Sequence, residues 1–110
     1  MATDKEYFGF IMDQLSELDG ISARSMMGEY VIYFRDKIAA YVCDDRLLVK
    51  TVPFAVEMMP DASLEPPYDG AKDMILVDNV DDREFLCRLF EGMYPQLPFP
   101  KAKKKKDRLS

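Results

Sequence analysis

ARSMMGEYVIYFRDKIAAYVCDDRLLVK, residues 23–50, holds three short runs of apolar, β-branched and aromatic residues: YVIYF (30–34), IAAYVC (38–43) and LLV (47–49). Two polar breaks, Arg35-Asp36-Lys37 and Asp44-Asp45, separate them. Parallel strands need a crossover of about a dozen residues, whereas antiparallel neighbours close over two or three. The block therefore reads as an antiparallel meander that the remaining chain must cover.

Upstream, Thr3 and Glu6 stand in capping-box spacing, and Phe8, Ile11, Leu15 and Leu18 then recur on one helical face. Gly20 supplies the stop expected past that helix. Residues 22–27 are expected to form a first strand, with Gly28 as a bend before the second. In the second strand Tyr30, Ile32 and Phe34 point one way and Val31 and Tyr33 the other. Both faces are apolar, so this strand is central and its second face needs a cover. In the third, Ile38, Ala40 and Val42 alternate with Ala39, Tyr41 and Cys43.

Pro53 opens a helix of about two turns that Pro60 stops. Residues 60–72, with three prolines and a glycine, read as an extended loop, and 74–77 as a short buried strand. Asp81 and Glu84 are placed to cap a last helix, with Val80 and Phe85 as its staple. The buried face of that helix is Phe85, Leu86, Leu89, Phe90 and Met93. Pro95, Pro98 and Pro100 close the folded part. The order α-β(3-4)-α-β-α defines an α+β two-layer sandwich, an antiparallel sheet packed by the N- and C-terminal helices. No internal repeat is visible.

Length and composition fit one domain, spanning 1–100, with 101–110 as a basic, disordered tail. The tail carries Lys101, Lys103, Lys104, Lys105, Lys106 and Arg108 against Asp107, a balance of +5. The overall charge of −5 thus leaves −10 on residues 1–100, a body that repels phosphate backbones. Nucleic acid could be reached through the tail alone. No apolar run is long enough to span a membrane, and the acidic N-terminus does not read as a signal peptide, so a cytoplasmic protein is expected. Cys43 and Cys87 lie in apolar runs and are expected to be buried thiols.

The chain contains no histidine, no CxxC pair and no glycine-rich phosphate loop. The usual general base, the Ser-His and Cys-His nucleophile pairs and zinc-ribbon ligands are therefore not on offer. Asp78, Asp81 and Asp82 match no ordered cation loop; capping and a solvated surface account for them. No metal or cofactor is expected. Of Met26-Met27 and Met58-Met59, one methionine of each pair is expected to face outward.

Arg24-Ser25-Met26-Met27-Gly28-Glu29-Tyr30, then Tyr33, Asp44-Asp45-Arg46-Leu47 and Lys50, resembles the TfoX N-terminal domain family. That family repeats an Arg, a Met-Phe-Gly-Gly bend, a Tyr-bearing strand, a turn and a strand opening on Asp-Arg-Leu. Pro67-Tyr68-Asp69-Gly70-Ala71-Lys72-Asp73-Met74, Val80-Asp81-Asp82, Leu97-Pro98 and the Lys-rich ending resemble its small stand-alone members. Met27 replaces the usual Phe, Glu29 the second Gly, and Asp36-Lys37 a Gly-containing turn. The resemblance implies a bacterial cytoplasmic protein with a secretion-chaperone-like sheet-and-helix fold and no known catalytic residue. The family also includes longer competence regulators in which a second domain follows; with the chain stopping at Ser110, their full activity is not expected here.

A non-enzymatic regulatory or protein-interaction module is the leading expectation, with a protein partner or a homodimer held through the sheet. The candidate surface is Val31, Tyr33 and Tyr41 on the second face, with Tyr68 and Lys72 from the long loop. The competing expectation for that face is a cover made by the loop 60–72 and the proline-rich segment 95–100. Two alternatives to the module stand beside it: a nucleic-acid-associated protein using the tail, or an enzyme of unfamiliar type using Tyr68, Asp69 and Lys72.

Overall fold

The computed structural model describes residues 5–26, 29–67 and 69–98. Expectations for Thr3, Met27, Gly28, Tyr68 and the tail fall outside the described residues. Among those described, β1 (Ile21–Met26), β2 (Glu29–Phe34), β3 (Lys37–Cys43), β4 (Arg46–Val49), β5 (Leu64–Glu65) and β6 (Met74–Leu76) form one sheet. Its order is β1-β2-β3-β4-β6-β5, with every neighbouring pair antiparallel. Three helices, α1 (Lys5–Gln14), α2 (Pro53–Met58) and α3 (Arg83–Met93), complete the expected α+β sandwich.

Both meander turns are two residues long. Arg35 and Asp36 have φ of 50° and 71°, and Asp44 and Asp45 have 54° and 57°. Paired left-handed residues match the twist of antiparallel strands, and Asp is among the non-glycine residues that tolerate the conformation. Lys37 therefore belongs to β3, opposite Phe34, rather than to the break.

A bulge breaks the simple alternation expected of β3. Ile32 pairs with Ala40 but Tyr33 with Ile38, leaving Ala39 as the extra residue. Ala39 and Ala40 are consequently both buried in the core, and Ile38 joins Tyr33 on the opposite face. Lys37 is carried to the helix side, where its Nζ donates to the Tyr94 carbonyl at 3.2 Å and lies 4.3 Å from that ring's centre.

The core lies between sheet and helices. Ile32, Phe34, Val42, Leu47, Val49 and Ile75 meet Ile11, Leu15, Leu86, Leu89, Phe90 and Met93. The first helix is shorter than its periodicity suggests. It ends at Gln14, whose buried Nε2 donates to the Val80 carbonyl at 2.9 Å. Leu15 and Leu18 reach the core through the turns that follow, and Gly20, at φ 92°, returns the chain into β1. The cap of α3 is Asp82 rather than Asp81: its Oδ1 accepts from the Phe85 amide at 3.1 Å. Asp81 is taken up by the turn that the Asp82 amide closes onto the Asn79 carbonyl.

Two further segments differ from expectation. The loop 60–72 contains β5, a strand too short to show a period, which places β6 between β4 and β5. Beyond α3 the prolines do not end the packing, because Pro95 lies in a 3₁₀ turn, Tyr94–Gln96, and Leu97 is buried in the core. Tyr94 sits edge-on to Phe34 at 5.3 Å. The described part of the proline-rich segment thus covers the helix side and not the second face.

Candidate interaction face

The sheet face turned away from the helices is built by register. Arg24, Val31, Tyr41, Leu48 and Leu76 stand opposite one another in a row across β1, β2, β3, β4 and β6. Ser22, Tyr33 and Ile38 form a second row. Cys43, Leu48 and Met74 make a small second cluster, flanked by Tyr41 and Leu76. Val31 is 4% exposed, while Tyr33 and Tyr41 are half-buried.

The β3–β6 part of this face is overlaid by the segment after β5. Pro67 is buried there and shares a cleft of about 340 Å³ with Tyr41, Lys50, Lys72 and Met74. Tyr41 and Lys72 from the expected surface thus meet in one cleft, and Val31 stands directly opposite Tyr41. Tyr33 lies in the other row. Asp69 is exposed and takes no part in the cleft lining.

Besides Lys72, which was expected, this face carries Arg46 and Lys50, which were not in the expected surface. Arg46 pairs with Glu65 and so ties β4 to the edge strand β5. Its Nη2 also donates toward the Cys43 sulfur at 3.8 Å. Burial pushes the Cys43 thiol above its ordinary pKa, outweighing the nearby guanidinium. Cys87, expected to be buried, is half-buried beside the end of α1, and partial burial raises its pKa too. Lys50 is half-buried; burial lowers its pKa, and the positive charge of Lys72 adds to that shift. In the sequence Lys50 stands immediately after an apolar strand and within the family motif, and neither signal pointed to a cleft.

The β1 end of the sheet is different in character. Five of its six residues, from Ser22 to Met26, are exposed, so neither face of the strand is covered. The Arg35 amide donates to the Gly20 carbonyl at 2.9 Å. Hydrogen-bonded pairs alternate along an antiparallel ladder, so Ser22, Arg24 and Met26 bond inward to β2. The N–H and C=O groups of Ile21, Ala23 and Ser25 then point outward, along an edge that no described strand pairs and whose only charged residue is Arg24.

Met26 is exposed, whereas Met58 and Met59 are both half-buried against the core instead of one facing out. Among the described residues no group of His, Cys, Asp and Glu is placed to hold a metal ion, and no helix is long and apolar enough to cross a membrane.

The family model described as the TfoX N-terminal domain matches residues 13–91. A relative from Spirochaeta aurantia, named as an uncharacterized 12.7 kDa protein in the trpE 5′ region, is 33% identical over 107 residues. That match covers 96% of this chain and 93% of the relative. No solved structure matches the chain significantly.

Proposed function

Because the chain belongs to the TfoX N-terminal domain family, we propose that it is a non-enzymatic protein-interaction module, related to the N-terminal domain of bacterial competence regulators, that accepts an extended segment of a partner along the β1 edge. The observation that carries this reading is the edge of β1, unpaired among the described residues, with outward backbone groups at Ile21, Ala23 and Ser25 and five exposed side chains. An added strand gains main-chain hydrogen bonds there, and side chains alternate to either face for specificity. Tyr33, one strand in on the outer face, is half-buried and supplies the kind of aromatic contact that interfaces favour.

Charge selects the occupant. A body of −10 over residues 1–100 repels a second copy of itself, so a neutral or basic partner segment fits better. The test uses Ala23→Pro, which removes an outward donor without touching the β1–β2 ladder. The partner is captured from host extract, purified and re-bound to the wild type, to Ala23→Pro and to Tyr33→Lys. Loss of binding in folded Ala23→Pro, with weakening in Tyr33→Lys, is the expected result. Undiminished binding by both variants, or a wild-type dimer that Ala23→Pro dissociates, overturns it.

A further inference from the structure

We infer that the cleft that Tyr41 of β3, Lys50 and Thr51 after β4, Pro67 and Ala71–Met74 line binds a small organic anion, a phosphate monoester or carboxylate carried on an apolar body. This does not rest on the β1 docking reading, since the cleft lies on the far side of β2.

Two lysines line this cleft. Lys50 follows β4 directly, and its amide is bonded to the Ala39 carbonyl at 3.2 Å, which fixes its backbone against β3. Lys72 comes from the segment that overlies the outer face, and both line the same cleft. Neither makes an ion pair or side-chain hydrogen bond with a described residue. In residues 1–100 acids outnumber bases by ten, so two lysines lining one cleft with a single carboxylate run against the composition of the surface. Burial chiefly, and the charge of Lys72 in addition, lowers the pKa of the half-buried Lys50. Leaving a partly desolvated ammonium beside a second one is unfavourable, and an anion between them would relieve both terms.

The remaining walls narrow the ligand. Thr51 adds a hydroxyl donor next to Lys50, and Asp73 a carboxylate next to Lys72. With two cations and one anion the cleft carries +1, which suits a singly or doubly charged group rather than a polyphosphate. The Asp73 carboxylate can accept from a hydroxyl or amine of the same ligand. Tyr41, Pro67 and Met74 line the same cleft and would pack on an apolar body. At about 340 Å³ the cleft is near the small end of the roughly 300–1,000 Å³ typical of ligand sites, room for a single ring with its charged group.

The test is a titration of the full chain with phenyl phosphate, followed through backbone amide shifts, with benzoate, inorganic phosphate and benzyl alcohol as comparison probes. Saturable shifts centred on Lys50, Thr51, Ala71, Lys72 and Asp73 are expected, for phenyl phosphate or benzoate, with benzyl alcohol much weaker. The stronger of the two identifies the charged group. Lys72 is exposed, so Lys72→Glu keeps the fold, which its amide spectrum verifies, and affinity should fall by about tenfold or more. Lys50→Gln should do the same if it folds; Lys72→Glu decides the matter alone if it does not. Ala23→Pro should bind the probe normally, which separates failure here from failure of the docking reading. Shifts that do not saturate, that centre elsewhere, that survive Lys72→Glu, or that benzyl alcohol reproduces with equal affinity would overturn the proposal.

Discussion

Two helical glycines should respond to alanine with opposite signs. Gly92 on α3 faces Phe54 of α2, and a Cβ built there would overlap the aromatic ring, with Cδ2 at 2.6 Å and two further ring atoms nearer still. Gly9 on α1 has nothing within 4 Å of the same construction. Glycine in a helix interior is about 1 kcal/mol less favourable than alanine, so Gly9→Ala should stabilise by close to that amount. At Gly92 the same gain is opposed by overpacking, which costs about 1–3 kcal/mol. The ring has no easy retreat, because the Phe54 amide is held by Gln96 Oε1 at 2.8 Å and the side chain packs against the core.

The expected net effect of Gly92→Ala is a loss of about 1 kcal/mol, a fall in Tm of about 4–8 °C for a domain of this size. Removing the ring should reverse the sign: in a Phe54→Ala background, Gly92→Ala should stabilise by about 1 kcal/mol. Urea unfolding of the four proteins of this cycle, with Gly9→Ala as reference, measures the coupling. If Gly92→Ala stabilises the wild type as Gly9→Ala does, or acts alike in both backgrounds, then the α2–α3 contact is not as tight as described.

Cys43 should react with a thiol reagent more slowly than Cys87 in native buffer at mildly alkaline pH, and both should be fast in denaturant. Both thiols have raised pKa values, which lowers the thiolate fraction, but only Cys43 is fully buried; faster labelling of Cys43, read by peptide mass spectrometry, would contradict this. Asp36→Gly should stabilise by about 0.5–1 kcal/mol in urea unfolding, since Asp36 holds φ at 71°. Arg35→Gly should gain less, because the Arg35 guanidinium lies 4.6 Å from the Phe34 ring centre and 5.4 Å from that of Tyr94; equal gains at the two positions would show that these ring contacts contribute nothing.

The meander is legible in the residues alone, because 30–34, 38–43 and 47–49 are joined by breaks too short for anything but antiparallel pairing. So are the core-facing residues of α3 and the start of α2, since 3.6-residue periodicity and proline chemistry are local. Tyr33 and Tyr41 could likewise be placed on the face away from the helices, because side chains alternate along a strand. Local signals failed wherever a distant partner made the choice. The β3 bulge, which turns Lys37 inward to Tyr94, depends on the register against β2. The insertion of β6 between β4 and β5 depends on a two-residue strand that carries no period. The meeting of Lys50 and Lys72 joins residues 22 positions apart through the path of a proline-rich loop over the sheet, and the exposure of β1 follows from where the helices stop. Those are decisions of tertiary packing, because the energy that fixes them lies in contacts between segments, and no single segment contains both sides of such a contact.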